Sequence, residues 1–302
     1  MHHVISTVDR ADAIADRDAL QRLLDAVAAA DGRHPLSDHL RLELSSGGAP
    51  GFAAVLAAEG DELAGYAQLA TINGTRNVEL AVHPDHRAGD DIAHRLLATA
   101  LEVVAGDGGG PVQWWAFDAT AADVALAESV GLRMTRELLQ MRVPLPLDRP
   151  VDVTTRPFVP GEDDAAFLAV NNRAFASHPE QGGWTAGTLR QRQGEAWFDP
   201  AGFLLHERDG RLAAFCWTKL HADETPVLGE IYVIAVDPDF QGLGLGNQLT
   251  LAGLSSIAAR GVGTGMLYVD GGNTTAVTMY ERLGFTIHRT DRAFTADVPP
   301  TS

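Results

Sequence analysis

The chain has 302 residues, and 45% of them are hydrophobic, so it is long enough for two domains that each bury a core. Acidic residues number 40 and basic residues 23, and the formal charge of −17 opposes binding to nucleic acid or anionic lipid. The single cysteine, Cys216, excludes an intrachain disulfide and a cluster of thiolate metal ligands. The chain has no leader-like start and no apolar run of about 18 residues, so we expect a cytoplasmic protein without a membrane span.

The first half predicts an early helix and several strands, followed by a strand, a loop and a long helix in succession. The strand and loop meet in the sequence LAVHPD at residues 80–85, and an apolar-periodic helix follows. A shorter helical pattern, VALAESVGL at residues 124–132, ends at Gly131, where a left-handed residue is expected. These elements predict a first domain over residues 1–143.

A proline-rich segment, PLPLDRP at residues 144–150, follows these elements. Proline fixes φ and lacks an N–H group, so this segment opposes continuation of a helix or strand. We therefore predict a linker over residues 144–153 and a second domain over residues 154–302.

The second half repeats the landmarks of the first. The sequence IAVDPD at residues 234–239 lies 154 positions after LAVHPD, and VTMYERLGF at residues 277–285 lies 153 positions after VALAESVGL. Two landmarks at nearly one spacing indicate a duplicated domain.

The elements of the second domain predict a mixed sheet covered by helices, so the fold class is α/β, with two tandem domains. In chain order we predict strands at 202–207 and 212–220 around a turn at 208–210, a central strand at 229–236, a helix at 246–260 and a strand at 265–269.

A glycine-rich loop, QGLGLGN at residues 241–247, joins the central strand to the long helix. Inward N–H groups and a helix N-terminus suit a pyrophosphate, although a plain tight turn has the same composition. A Walker loop would need Gly-Lys-Ser/Thr, where this chain has Gly246, Asn247 and Gln248. The dinucleotide fingerprint fails because the third glycine arrives one residue early. A phosphate ligand here would therefore be of another kind.

The loop and the segment after it resemble a known family. The pattern V-x-P-x-x-Q-x-x-G-x-G at residues 236–246 is similar to the acetyl-CoA signature of the GNAT superfamily of N-acetyltransferases. Asn273 with the sequence YERLGF at 280–285 is similar to its second signature, and we expect this segment to be a helix capped by Asn273 and ended by Gly284. The resemblance implies acetyl-CoA as co-substrate, with the central strand holding its pantetheine arm and the loop its pyrophosphate.

The coenzyme contacts that the resemblance implies lie in the central strand, the loop and the start of the last helix. They are Ile234, Ala235, Val236, Gln241, Gly242, Leu243, Gly244, Leu245, Gly246, Asn247, Asn273, Thr274, Thr275, Ala276, Val277 and Thr278. Arginines are common in relatives at the positions of Gly242 and Leu243, so phosphate binding here would depend on backbone N–H groups.

The tandem copy, with segments 175–182, 217–219 and 229–233, is similar to a two-domain actinobacterial branch of the superfamily. This branch completes mycothiol formation by acetylating the cysteinyl amine of a cysteinyl-glucosaminyl-inositol. The substrate contacts that the resemblance implies are Asp38, Glu180, Lys219, Glu230 and Tyr268. Two alternatives stay open: acetyl transfer to another small amine, such as an aminoglycoside or a polyamine, and a non-catalytic acyl-CoA-binding sensor. In each case we expect a monomer.

Acetyl transfer to an amine needs a base for the amine and an acid for the leaving thiolate. We predict Glu230 as the base, on the same strand face as Ile234 and Val236 by alternation, against the alternative of a solvated strand-end glutamate. The resemblance implies Tyr280 as the acid, since a phenol stays protonated at neutral pH, against the alternative of a tyrosine packed in the core with its hydroxyl outward. Cys216 is predicted to be a buried strand residue, facing away from Lys219, rather than an acyl carrier.

The first copy lacks these groups. Sequence alignment of the copies places Arg76 opposite Glu230 and Ala127 opposite Tyr280, and Asp90 replaces a loop glycine. We therefore expect acetyl-CoA to bind weakly, if at all, along Leu80, Ala81 and Val82.

The histidines of the first half predict no metal site, because no pair has the HExxH spacing. They are His34, His39, His83, His86 and His94.

Overall fold

The computed structural model describes residues 3–88, 91–176, 181–222 and 224–301, with Asp38 described by its backbone alone. The chain forms two compact units. The first unit is Met1–Leu138 together with Arg289–Ser302, and the second unit is Leu139–His288. Among the described residues, none of the helices combines the length and the hydropathy that a membrane span requires.

The first unit alternates strands and helices. Its elements in chain order are β1 (Val4–Val8), α1 (Arg17–Asp31), α2 (Asp38–Ser45), β2 (Ala53–Glu59), β3 (Glu62–Ile72), β4 (Thr75–Val82), α3 (Ile92–Gly106), β5 (Gly110–Ala116) and α4 (Ala121–Ser129). The strand β6 (Arg133–Pro144) then begins in the first unit and ends in the second.

The second unit repeats this plan. Its elements are β7 (Arg156–Pro157), α5 (Asp164–Ala174), α6 (Ala186–Gln193), β8 (Phe203–Arg208), β9 (Arg211–His221), β10 (Leu228–Val236), α7 (Leu245–Ala259), β11 (Thr264–Asp270) and α8 (Thr274–Leu283). The last strand, β12 (Thr286–Val298), begins in the second unit and ends in the first.

Each unit has a mixed sheet with a hydrophobic core on both faces. The strand order is β1-β2-β3-β4-β5-β12 in the first unit and β6-β11-β10-β9-β8-β7 in the second. In the first unit α3 and α4 cover one face and α1 and α2 the other. In the second unit α7 and α8 cover one face and α5 and α6 the other. The predicted α/β class and the tandem arrangement are confirmed.

Local sequence explains where these elements turn and end. The β8–β9 hairpin turns at Asp209 and Gly210, whose φ values of 54° and 72° match the primed turns that fit the twist of paired strands. The helix α8 begins where Asn273 Oδ1 accepts the Ala276 N–H at 3.2 Å, and ends at Gly284 with φ 98°. The predicted hairpin, cap and helix end are all present.

The predicted boundaries need a correction at the C-terminus, because residues 289–301 do not belong to the second unit. Residues 292–298 of β12 pair antiparallel with 110–116 of β5, and the Phe294 ring stacks on Trp114 with centroids 5.2 Å apart. The final strand therefore buries its apolar side chain in the first unit's core, which periodicity along the chain cannot reveal.

The proline-rich segment after β6 has no helix or strand, but it is packed rather than loose. The Leu145 N–H donates to the Gly263 carbonyl at 2.9 Å, and Leu145, Leu147 and Val153 pack against the core of the second unit. The segment predicted as a linker is therefore an integral part of the second unit.

Candidate active site

The central strand β10 separates from its parallel neighbour β11 partway along its length. In the described residues the two strands pair from Gly229 to Ile231, while the rest of β10 stays paired with β9. The Asp237 N–H donates to the Ala213 carbonyl at 2.9 Å, so alternation turns the peptide groups of Ile234 and Val236 toward the side that β11 has left. This edge can accept another extended chain as an added strand.

The glycine loop lies directly after this edge. Gly242 and Gly244 adopt left-handed φ values of 78° and 74°, and a Cβ on either would meet no heavy atom within 4 Å. The helix α7 begins at Leu245 without a side-chain cap at Gly244. The first N–H groups of α7 therefore receive no side-chain cap from Gly244, and the partial positive charge of the helix end favours an anion there.

An extra residue in β10 decides which way Glu230 points. The register against β9 shifts between Ile231 and Val233, which leaves Tyr232 as a β-bulge. Because of the bulge, Ile231 joins Ile234 and Val236 in the core cluster under α7. Ile231 and Glu230 are neighbours in the strand, so Glu230 faces the other way.

The prediction that Glu230 shares a face with Ile234 and Val236 is therefore wrong. Strict alternation assumes an uninterrupted strand, and the bulge reverses it. Glu230 instead lies on the face of Val233 and Ala235, which pack toward α5 and α6.

Glu230 is a buried carboxylate with a specific partner. Its side chain lies opposite Lys219 in the sheet, and Glu230 itself is 7% exposed. The His221 Nε2 and the Glu230 Oε2 are 2.7 Å apart, a hydrogen-bonded contact that holds the carboxylate. Burial contradicts the alternative of a solvated strand-end glutamate.

The same face carries two of the other predicted site residues. Lys219 directly opposes Glu230 on β9, and Met266 pairs with Glu230 on β11, which places Tyr268 two residues further along that face. Tyr268 is 37% exposed, and its hydroxyl accepts a hydrogen bond from Gln140 Nε2 at 2.7 Å. Lys219, Glu230 and Tyr268 thus come from three adjacent strands to one surface.

Aromatic rings surround the Lys219 ammonium group. Its Nζ lies 5.0 Å from the centroid of the Trp197 ring and 5.9 Å from that of Tyr232, both within cation–π range. The Tyr232 hydroxyl in turn accepts a hydrogen bond from Arg192. Burial raises the pKa of Tyr232 above its ordinary value, so this phenol stays neutral.

Sequence reasoning missed His221, Gln140, Trp197 and Tyr232. Alternation along β9 gave a signal for His221, which follows Lys219 by two positions and so shares its face. The sequence contains no comparable signal for Gln140 or Trp197, because both reach the site from distant parts of the chain.

Tyr280 lies on α8, in the core cluster under α7, and so on the other side of the sheet from Glu230. Its ring contacts Phe285 at a centroid distance of 5.6 Å. Burial raises the pKa of Tyr280 well above that of a free phenol, so its proton is retained at neutral pH.

Two predicted substrate contacts cannot be placed. Glu180 lies outside the described residues. Asp38 begins α2 in the first unit, but its side chain is not among those the structure describes.

The corresponding strand of the first unit has no bulge. The β3–β4 register is continuous, with Leu80 opposite Ala67 and Asn77 opposite Ala70. In the second unit Ile234 lies opposite Cys216, and Glu230 lies opposite Lys219, three residues further along β9. In the first unit the step of three residues along β3, from Ala67 to Ala70, leads from Leu80 to Asn77. Asn77 therefore takes the position of Glu230. The sequence alignment, which places Arg76 opposite Glu230, is therefore corrected to Asn77 opposite Glu230. Neither Arg76 nor Asn77 supplies a base.

The opened edge of β4 in the first unit is partly covered. The strand pairs with β5 from Arg76 to Val78, as β10 pairs with β11. Arg87 Nε then donates to the Val82 carbonyl at 3.1 Å, and the same guanidinium binds Asp31 at 2.6 Å. Asp90 lies outside the described residues.

Comparison with known proteins identifies this architecture. The profile of the acetyltransferase (GNAT) family matches residues 18–132 and 169–285, so the chain belongs to the GNAT family of acetyltransferases, with two copies of the domain. GNAT acetyltransferases use acetyl-CoA.

Two similar curated proteins are both named mycothiol acetyltransferase. That of Thermobispora bispora is 47% identical over 279 residues, which cover 90% of this chain and 92% of the relative. That of Streptomyces avermitilis is 48% identical over 282 residues, which cover 91% and 89%.

Solved structures agree on the fold. A GCN5-related N-acetyltransferase from Sphaerobacter thermophilus has a TM-score of 0.70 at 23% identity, covering 94% of this chain and 93% of that one. A tandem GNAT protein from the clavulanic acid biosynthesis pathway has a TM-score of 0.67 at 18% identity and covers both chains fully.

The position of Cys216 predicts that its thiol takes no part in acetyl transfer. The residue is fully buried and packs in the cluster under α7, and burial raises the pKa of the thiol to about 12. A thiol reagent at pH 8 should leave the native chain unmodified and react with the single cysteine after unfolding. The variant Cys216→Ala should keep its turnover, and loss of turnover without loss of folding would instead indicate an acyl-cysteine route.

Proposed function

We propose that the chain transfers the acetyl group of acetyl-CoA to the cysteinyl amine of a cysteinyl-glucosaminyl-inositol, completing mycothiol, and that the second unit does the chemistry. The observation that carries the proposal is the identity of nearly half, over about nine-tenths of the chain, with proteins named mycothiol acetyltransferase. The buried carboxylate, the phenol and the open glycine loop of the second unit support the same chemistry.

In this proposal the second unit binds the coenzyme along β10 and α7. Peptide groups of Ile234 and Val236 receive the pantetheine arm, and the loop 241–247 receives the pyrophosphate at the start of α7. Residues 273–278, at the start of α8, complete the contacts. The bound coenzyme supplies the acetyl thioester as the electrophile.

Glu230 is the general base of the proposal. An ammonium group has no lone pair with which to attack a thioester, so its proton must first leave. His221 holds the carboxylate through Oε2, which leaves Oε1 to take the proton from the acceptor, directly or through one water. His221 acts here as a positioning residue.

Tyr280 is the general acid. As the new N–C bond forms and the C–S bond breaks, the leaving sulfur gains negative charge and accepts the phenol proton. The raised pKa of Tyr280 keeps that proton available across neutral pH. The nitrogen loses two protons in all. The first passes to Glu230 before the attack, and the second leaves once the N–C bond has formed and restores the Tyr280 phenol through water, so the products are a neutral amide and the CoA thiol.

The acceptor would lie on the face of Lys219 and Tyr268. An ammonium group and a phenol hydroxyl are suitable partners for sugar and inositol hydroxyls, and the rings of Trp197 and Tyr232 offer apolar surface beside them. Asp38 and Glu180 remain predicted contacts of the same acceptor.

We propose no catalysis in the first unit. Asn77 takes the place of the base, and the sequence alignment places Ala127 at the position of the acid. Arg87 donates a hydrogen bond to the Val82 carbonyl, which lies on the strand edge where the coenzyme would bind. We therefore expect weak coenzyme binding there or none.

The acceptor preference tests the proposed function. We expect kcat/KM for cysteinyl-glucosaminyl-inositol to exceed that for spermidine by about 100-fold or more, because a site built to hydrogen-bond hydroxyls rejects molecules without them. It should also exceed that for an aminoglycoside, whose hydroxyls and amines are arranged differently. The acetylated product should be measured by mass spectrometry, since the acceptor's own thiol would react with reagents that detect free CoA. The matched control acceptor is glucosaminyl-inositol without the cysteine.

Two results would contradict the proposal. Preference for a polyamine or an aminoglycoside would make the chain an acetyltransferase for another small amine. Coenzyme binding without transfer to any of these amines would favour an acyl-CoA-binding sensor.

The variant Glu230→Gln tests the assignment of the base. It keeps the shape of the side chain and removes the proton acceptor, so kcat should fall by about 10²- to 10⁴-fold while the Kd for CoA stays unchanged. The control Glu224→Gln, at an exposed position before the same strand, should behave as wild type. His221→Ala should lower kcat with little change in the KM for the acceptor, and unchanged turnover in Glu230→Gln would remove Glu230 from the mechanism.

A further inference from the structure

Three side chains with metal-binding atoms converge in the first unit, and none of them belongs to an element of the acetyl-transfer site in the second unit. They come from separate parts of the chain: His3 precedes β1, Glu59 ends β2, and His86 ends the short 3₁₀ turn after β4. One imidazole nitrogen from each histidine and one carboxylate oxygen all lie within 4.8 Å of one another.

The His3 side chain is the most informative member of this cluster. It is 2% exposed, and its Nε2 is a buried polar atom without a hydrogen-bond partner in the described part of the chain. The Glu59 Oε2 lies 3.6 Å away, which is too far for a hydrogen bond. A buried nitrogen left in this state costs free energy, so the site favours an additional atom that can satisfy it.

The surroundings hold His3 in place. The Arg95 Nη2 donates to the His3 carbonyl at 2.9 Å, and the His3 and His86 rings meet edge to face at 5.2 Å. The neighbouring His83 is engaged elsewhere, since its Nδ1 accepts the Asp85 N–H at 3.3 Å.

We propose that His3, Glu59 and His86 bind a divalent cation of the zinc class. Two imidazoles and one carboxylate are a ligand set that zinc and neighbouring transition metals accept, whereas calcium and magnesium prefer oxygen ligands. Ligand atoms around a tetrahedral zinc ion lie about 3.4 Å apart, because each bond is about 2.0–2.1 Å long. The 3.6 Å between His3 and Glu59 is close to that separation.

The proposed ion has a structural role. It would link the residue before the edge strand β1 to the end of β2 and to the turn after β4. It would thereby stabilise the position of His3 and β1 in the sheet. A water molecule would complete the four ligands. This site is independent of the acetyl-transfer chemistry proposed for the second unit, and the two proposals can fail separately.

The test uses the full chain, purified without a histidine tag and treated with a chelator. Titration with Zn²⁺ should give one tight equivalent, and Co²⁺ should give the intense visible absorption of a tetrahedral site. His86→Ala and Glu59→Gln should each weaken metal binding by about 10-fold or more. The control His94→Ala, at a half-buried histidine on α3, should bind as wild type.

Folding of each variant is checked by circular dichroism, and metal should raise the Tm of wild type and His94→Ala but not of His86→Ala. Absence of a stoichiometric Zn²⁺ or Co²⁺ complex in wild type would overturn the proposal. The proposal would also be overturned if the folded variants His86→Ala and Glu59→Gln bind Zn²⁺ as tightly as the wild type does. In that case the metal would be bound by other histidines.

Discussion

The β-bulge at Tyr232 is the constraint on which the proposed site depends. It turns Glu230 away from the core under α7 and onto the face of Lys219, beside His221. In the same stretch β10 separates from β11, which leaves the peptide edge of Ile234 and Val236 open. The opened edge is common to both units, since β4 pairs with β5 only from Arg76 to Val78 and has no bulge, and the extra residue in β10 decides on which face of the sheet the carboxylate lies.

The two units share a fold and differ at the positions that we propose for the chemistry. Leu80 and Val82 pack in the first unit as Ile234 and Val236 do in the second, so both sheets bury the same apolar pattern. The first unit has no bulge in β4, and it has Asn77 where the second unit has Glu230. The shared apolar pattern accounts for the common architecture, whereas the proposed chemistry rests on a few polar positions.

Local signals predicted much of this structure, and long-range pairing limited the rest. Alternation, glycine positions and the Asn273 cap predicted the β8–β9 hairpin, the loop before α7 and both ends of α8, because each depends on nearby residues. The bulge was not predicted, since it requires the register against β9. The return of β12 to the first unit and the meeting of His3 with His86 depend on tertiary contacts that no local pattern encodes.

A crystal structure of the chain with bound CoA tests the central claim most directly. The account predicts the pantetheine arm along Ile234 and Val236 in the second unit, with its sulfur at the opening between β10 and β11 and the Glu230 carboxylate facing the acceptor side of that opening. Pantetheine bound away from this edge, or a sulfur directed away from both Glu230 and Tyr280, would contradict it.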